Sequence, residues 1–204
     1  FESVVAHWEQ QNVSAAQQEL DGIRAFHQGI IDQLFEQIPQ SLQSDLAHWY
    51  EDLTKQLGNT TRSYSEQYDN IVHHGELIST RIVQEYVNLS TPAVWQDTRQ
   101  LVRTDAQFRR ATVQWDETAA RITQAINDDH VHFVQGFIGS DADGRPTTLG
   151  REGSDYTGAV FAYCLGANSL TIWKDVPGML NGDPKTFTNT TLIEELPFGE
   201  AIEL

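Results

Sequence analysis

The 204-residue chain is poor in cysteine, poor in basic residues and without a long hydrophobic run. Its single cysteine, Cys164, excludes an intramolecular disulfide and suits a reducing compartment; set in an apolar run, it reads as core packing. Thirteen basic residues against 29 acidic ones leave a formal charge of −16, which argues against nucleic acid or an anionic membrane as partner, since both demand clustered Lys and Arg. A nucleotide is not excluded, because it needs only a local positive patch and a divalent cation. No apolar run approaches the ~18–20 residues of a membrane span and no secretory pattern opens the chain, so a soluble, cytoplasmic globular protein is expected. The first residue, Phe1, is not an initiator methionine, which reads as a processed or cut terminus. Four Asn-x-Ser/Thr sequons, at Asn12, Asn59, Asn88 and Asn189, are accordingly read as chance and helix-edge chemistry.

What is present falls into two halves. Residues 1–90 are predicted to be helical. Leu20, Ile23, Phe26, Ile30, Ile31, Leu34, Phe35 and Ile38 keep helical spacing until Pro39. A second helix carries Leu42, Leu46, Trp49, Tyr50, Leu53 and Leu57, with Gly58 as its C-terminal cap. A third runs from about Thr61 to Leu89, closed by Pro92. Residues 91–204 alternate instead: strands at Ala93–Asp97, Val131–Gly136 and Phe137–Gly139, a helix at Thr112–Asn127, a tight turn at Asp141–Gly144, and a helix at Ser154–Gly166. A short buried strand at Leu170–Trp173 and a helix opening at Phe198–Leu204 complete the reading. Strand–helix–strand alternation implies an α/β fold with a mostly parallel sheet covered by helices.

The stretch from Thr147 to Ala167 carries the most chemistry. Gly150 and Gly153 allow positive φ and a close approach of backbone to ligand, Arg151 offers a planar fork for a carboxylate, and Ser154 can cap the helix that follows. A loop opening onto a helix N-terminus is suited to anions. The same residues also fit a plain surface loop with a solvated arginine. Glu76, following Gly75 in the long third helix, can meet an ammonium group or remain a solvated charge. Lys174, Asp175, Asp183 and Lys185 lie in a polar segment after a predicted strand, where open α/β sheets bind ligands, and Lys185 also fits an ordinary surface lysine. His130 and His132 flank Val131 with no third ligand at metal spacing and read as structural.

Four ordered blocks share a further likeness. His74-Gly75-Glu76-Leu77-Ile78-Ser79-Thr80, Trp95-Gln96-Asp97-Thr98-Arg99 through Val102-Arg103-Thr104-Asp105 with Phe108 and Ala111, Leu149-Gly150-Arg151-Glu152-Gly153-Ser154-Asp155, and Trp173-Lys174-Asp175-Val176-Pro177-Gly178 followed by Asp183-Pro184-Lys185 resemble the aspartokinases of the amino-acid-kinase superfamily. The match covers the chain from Glu76 onward. It departs from the family at Glu152, where glycine is common, at Lys174, where threonine is usual, and at Leu180, where tyrosine is frequent.

The resemblance implies a three-layer α/β/α amino-acid-kinase-type domain that moves the γ-phosphoryl of MgATP to the β-carboxylate of L-aspartate, opening the route to lysine, threonine and methionine. It implies substrate contacts from Glu76, Arg151, Gly153 and Ser154, a catalytic role for Asp155 in organising a phosphate-binding lysine or metal, and nucleotide contacts from Lys174, Asp175, Asp183 and Lys185. ATP and Mg²⁺ are the expected cofactors. The family's Lys-Phe-Gly-Gly-Thr-Ser opening, its Phe-Gly-Ala-Lys segment and its ACT domains, through which the parent is expected to form homodimers, have no counterpart in these residues. The expectation is therefore the middle of a catalytic domain, inactive by itself. A different class fits the helical third alone: a non-catalytic module presenting an apolar groove to a partner helix.

Overall fold

A computed structural model describes residues 1–126, 129–176 and 178–201. The chain divides into two compact units, Phe1–Leu170 and Thr171–Leu204.

The first unit opens with four helices: α1 Glu2–Glu9, α2 Val13–Leu34, α3 Gln40–Leu57 and α4 Tyr64–Asn88. The first, α1, lies in the region expected to be helical but was not delimited there; its eight residues are too few to show a period, yet Val4 and Val5 are buried. The expected helix to Ile38 stops at Leu34, because Phe35 turns extended and Pro39 instead starts α3. All six apolar residues read from the α3 stripe are buried. Gly58 caps α3 with right-handed φ of −80°, so its cap needs no special conformation. Ser63 starts α4, its hydroxyl accepting the Glu66 N–H at 3.3 Å. Three of the sequon asparagines do helix-edge work. Asn12 caps α2, Asn59 accepts the Thr61 N–H, and Asn88 at the end of α4 accepts the Ala93 N–H. These helices enclose a core that includes Leu20, Ile31, Leu53, Ile71 and Ile78. Phe26, on the α2 stripe, is exposed instead.

Beyond α4 come β1 Ala93–Trp95, α5 Thr98–Leu101, α6 Trp115–Ala125, β2 Val131–Phe133, β3 Ile138–Ser140, β4 Pro146–Thr148 and α7 Gly153–Cys164. The predicted parallel pairing occurs between β1 and β2, with Val94 opposite His132, and at a parallel bridge of Arg103 to Ser140. Alongside it lies an antiparallel hairpin, β3–β4, closed by the expected turn: the Gly144 N–H donates to Asp141 O at 3.0 Å, and Gly144 has φ +78°. The strand β4 escaped the sequence reading because Pro146-Thr147-Thr148 has neither alternation nor an apolar run. The helix read at Thr112–Asn127 begins at Trp115, and its last residue, Asn127, lies outside the described residues. At its C-terminus α7 ends in a Schellman motif, with Gly166 at φ +59° and Ala167 N–H donating to Ala162 O at 2.9 Å. Cys164 packs against a second core built on Val102, Ile122 and Val160.

Within the second unit, Leu180 bridges Leu192 in antiparallel fashion and α8 spans Phe198–Ala201. The rest of the helix read to Leu204 lies outside the described residues, as does Pro177. The buried strand expected at Leu170–Trp173 is not formed; these residues carry no regular secondary structure and are exposed, Trp173 to 90%. Three apolar residues around one threonine, without a neighbouring edge, have no ladder to join.

Candidate active site

One face of α4 organises the first unit. Asp69, His73, Glu76 and Thr80 stand at i, i+4, i+7 and i+11, a polar stripe on a helix whose surroundings bury it. Three of the four are committed to the fold. The Asp69 carboxylate accepts Arg109 N–H and Thr148 N–H, each at 2.9 Å, and the Thr148 hydroxyl at 2.8 Å. His73 Nδ1 donates to Asp69 O at 2.8 Å, and its Nε2 accepts from Arg99 at 3.1 Å. That pattern requires the neutral ring, and burial holds the His73 pKa well below its ordinary value, helped by the neighbouring His74 and Arg99. The Thr80 hydroxyl donates to Glu76 O at 2.7 Å and accepts from Trp95 Nε1 at 3.0 Å and Gln135 Nε2 at 3.1 Å.

Glu76 is the exception. Among the described residues nothing donates to its carboxylate, and burial alone raises its pKa. A half-buried carboxylate without a donor is a destabilising arrangement unless something arrives to pair with it. Glu76→Gln is therefore expected to raise the melting temperature of the ligand-free protein; a fall would mean that the carboxylate has a structural partner. The sign follows from linkage, because a raised carboxyl pKa in the folded state makes the ionised form a liability as pH rises through that value.

The Thr80 relay leads to the second element of the site. Gln135, held also by Thr98, precedes Gly136, which lies directly under the start of α7: a Cβ on Gly136 would stand 2.8 Å from Ser154 Cβ and 2.9 Å from Ser154 Cα. Next in the chain, Phe137 N–H donates to the Thr157 hydroxyl at 2.9 Å, and its ring leaves no space for a Cβ on Gly153, which would meet Phe137 Cδ2 at 2.7 Å. Gly153 is thus required by close packing, whereas the left-handed positions are Gly150, with φ +80°, and Glu152, with φ +57°. Ser154 does not cap the helix. Glu152 occupies the cap position and α7 has no side-chain cap, which leaves its N-terminus suited to an anion.

Arg151 stands on this loop with its side chain 94% exposed. Glu152 points into solvent beside it, 3.8 Å from Arg151 Nε. Ser154 is exposed and Asp155 half-buried in the first turn of α7. Lys174, Asp175, Asp183 and Lys185 belong to the second unit, all exposed. There Asp183 forms a local turn, its carboxylate accepting the Lys185 N–H at 2.8 Å and the Thr186 hydroxyl at 3.3 Å. The structure thus joins Glu76 to the Gly150–Asp155 loop by a continuous chain of contacts. Among the described residues no group of three or more His, Cys, Asp or Glu gathers as a metal cage.

This fold has known counterparts. Residues 13–204 match the model of the amino acid kinase family. The chain belongs to that family. It is 35% identical over 193 residues to the lysine-sensitive aspartokinase 3 of Escherichia coli K12, covering 92% of this chain and 42% of that protein. To an aspartokinase of Chlamydia trachomatis serovar D it is 30% identical over 190 residues, covering 89% and 41%. The crystal structure of E. coli aspartokinase III in complex with aspartate and ADP, in the R-state, matches with a TM-score of 0.88 at 33% identity, over 99% of this chain and 46% of that one. The same enzyme with lysine and aspartate, in the T-state, gives 0.79 at 30% identity, over 96% and 44%. The chain spans about two-fifths of the length of these curated relatives. Its α/β architecture is that of the amino-acid kinases, with the helical third as part of that fold.

Asp69, Thr80 and Gln135 were missed in the sequence, although the spacing of Asp69, His73, Glu76 and Thr80 on one helical face was a signal for them. Gln135 carried no local signal, because its partners are 37 and 55 residues away.

Proposed function

We propose that the chain is part of an aspartate kinase, which transfers the γ-phosphoryl group of MgATP to the β-carboxylate of L-aspartate to give 4-phospho-L-aspartate, the first step towards lysine, threonine and methionine. The observation that carries the proposal is Glu76: an unpartnered, half-buried carboxylate in a stripe whose other members are all engaged, tied through Thr80 and Gln135 to an uncapped helix N-terminus beside Arg151. An amino acid with a second carboxylate complements this set. Its ammonium group suits Glu76 and a carboxylate suits Arg151, with the backbone at Gly153 and Ser154 lining the loop.

The substrate carboxylate is already an oxyanion, so no strong general base is needed. Catalysis rests on alignment and on neutralising charge at the phosphoryl group. Lys174, Asp175, Asp183 and Lys185 are assigned to the nucleotide, and Asp155 to organising a phosphate-binding lysine or metal. Mg²⁺ commonly binds through one or two carboxylates and substrate phosphates, and is assigned here as the ion that accompanies ATP. We further assign the parent protein to the cytoplasm and to a homodimer formed through ACT domains.

The test is acyl-phosphate trapping. The full-length protein bearing this chain, given MgATP, L-aspartate and hydroxylamine, is expected to yield aspartyl hydroxamate in proportion to ADP. ADP release independent of aspartate, or equal turnover with L-glutamate, would overturn the reading.

A further inference from the structure

A cavity of about 320 Å³ lies between α2 and α3, apart from the loops discussed above. Arg24, His27, Gln28 and Ile31 face it from α2, at the i, i+3, i+4, i+7 positions of one helical face; Gln43, Leu46 and Tyr50 face it from α3 in the same register. Its floor is apolar, from Ile31 and Leu46 with Ile38. Across the gap His27 Nδ1 hydrogen-bonds the Tyr50 hydroxyl at 2.6 Å. The Arg24 guanidinium stands 5.4 Å from the Tyr50 ring centroid, and no carboxylate among the described residues pairs with it, although acidic residues outnumber basic ones 29 to 13. Gln28 is turned to Asp32 on its own helix and Gln43 to Ile38 O in the segment before α3.

A cation at the mouth, one hydrogen-bonded His–Tyr pair on the wall and an aliphatic floor define a ligand class. We propose that this cavity is a binding site for a small monocarboxylate with a branched aliphatic or aromatic tail. Arg24 takes the carboxylate, stacked on Tyr50 so that its fork is held in place; Ile31, Ile38 and Leu46 receive the tail. Burial keeps His27 neutral by lowering its pKa, and Tyr50 is pushed up to about 12, so this pair supplies a neutral hydrogen-bonding wall and no competing anion. The volume is at the small end of ligand sites, roughly 300–1,000 Å³, which suits an acid of five to nine carbons and excludes a nucleotide. The site does not depend on the kinase reading, since none of its residues belongs to the aspartate or ATP assignments.

The experiment is calorimetric titration of the intact protein with 4-methylpentanoate and with 3-phenylpropanoate, followed by amide-shift mapping. Saturable binding that shifts α2 and α3 resonances, weakens about tenfold or more in Arg24→Gln and is lost with the uncharged amide of either acid is the expected result. A second variant, Ala47→Phe, places a ring at the cavity wall from an exposed helix position and is expected to block binding while Arg24 remains. No saturable binding by wild type, equal affinity for the amides, or unchanged affinity in Arg24→Gln would each overturn the proposal. Arg24 is exposed, so its replacement leaves the fold intact.

Discussion

Replacing Asp69 with alanine is expected to lower the melting temperature by roughly 10 °C, the largest stability effect of any single polar side chain described above. The carboxylate lies on α4, fully buried, and accepts three hydrogen bonds from two separate segments: Arg109 N–H, Thr148 N–H and the Thr148 hydroxyl. Alanine leaves all three donors buried without an acceptor, at about 1–3 kcal/mol each and with partial relaxation, for a total of about 3–5 kcal/mol. At roughly 2–4 °C per kcal/mol for a chain of this size, the shift is readily seen by calorimetry. Asparagine supplies one acceptor oxygen for the two N–H groups and an amide donor for the Thr148 hydroxyl, so Asp69→Asn is expected to cost far less. A cost for asparagine equal to that for alanine would mean that charge, not hydrogen bonding, is what the site requires.

The same residue gives a pH signature. Burial raises the Asp69 pKa from 3.8 to about 6, outweighing the three donors that pull it down. The folded state therefore holds the proton more tightly than the unfolded chain. The contribution is fully present below about pH 4 and is lost as pH rises through about 6, a span of about 3 kcal/mol. Asparagine cannot titrate, so wild type is expected to gain stability relative to Asp69→Asn as pH falls from 7 to 4.5. Parallel melting curves for the two proteins across that range would contradict this assignment.

If Arg151 holds the substrate carboxylate as proposed, Arg151→Ala in the full-length protein is expected to weaken L-aspartate binding by about 10–100-fold while leaving MgATP affinity and thermal stability nearly unchanged. A charge-assisted, two-pronged contact to a carboxylate is among the stronger polar interactions available, and truncating such a partner costs about 2–5 kcal/mol when it is desolvated. The lower part of that range applies here, because Arg151 is solvated before the ligand arrives and must be ordered by it. Lysine restores the charge without the fork, so Arg151→Lys should recover only part of the affinity. Calorimetry on the three proteins decides it. Wild-type aspartate affinity in the alanine variant would remove Arg151 from the site.

The helical third was largely legible because its helices are long and two-faced; Leu42 to Leu57 in α3 shows a period that no strand could imitate. The helix α1 and the strand β4 were too short to show one. The Gly150–Asp155 loop was legible as a loop but not in its working parts. Glycines at positions 150 and 153 look alike in sequence, yet one supplies a left-handed turn and the other makes room for the Phe137 ring. That distinction depends on a residue 16 positions earlier, beyond any local rule. Ser154 misled for the opposite reason: serine before an apolar run is an ordinary cap, but here the helix begins one residue sooner, and Ser154 is packed against Gly136.

The exposed pair of Arg151 and Glu152 has a consequence for binding at low salt. In the proposed role of Arg151, the glutamate acts as a tethered rival for the guanidinium: it is always present, and an incoming carboxylate must displace it. A solvated pair of this kind is worth about 0–1 kcal/mol, so displacement weakens the apparent affinity by no more than about fivefold. Glycine in place of Glu152 removes the rival and relieves the left-handed backbone at the same position. Ionic strength acts on both partners of the exchange, so the advantage of Glu152→Gly should be greatest in dilute buffer and fade as added salt screens the tethered carboxylate.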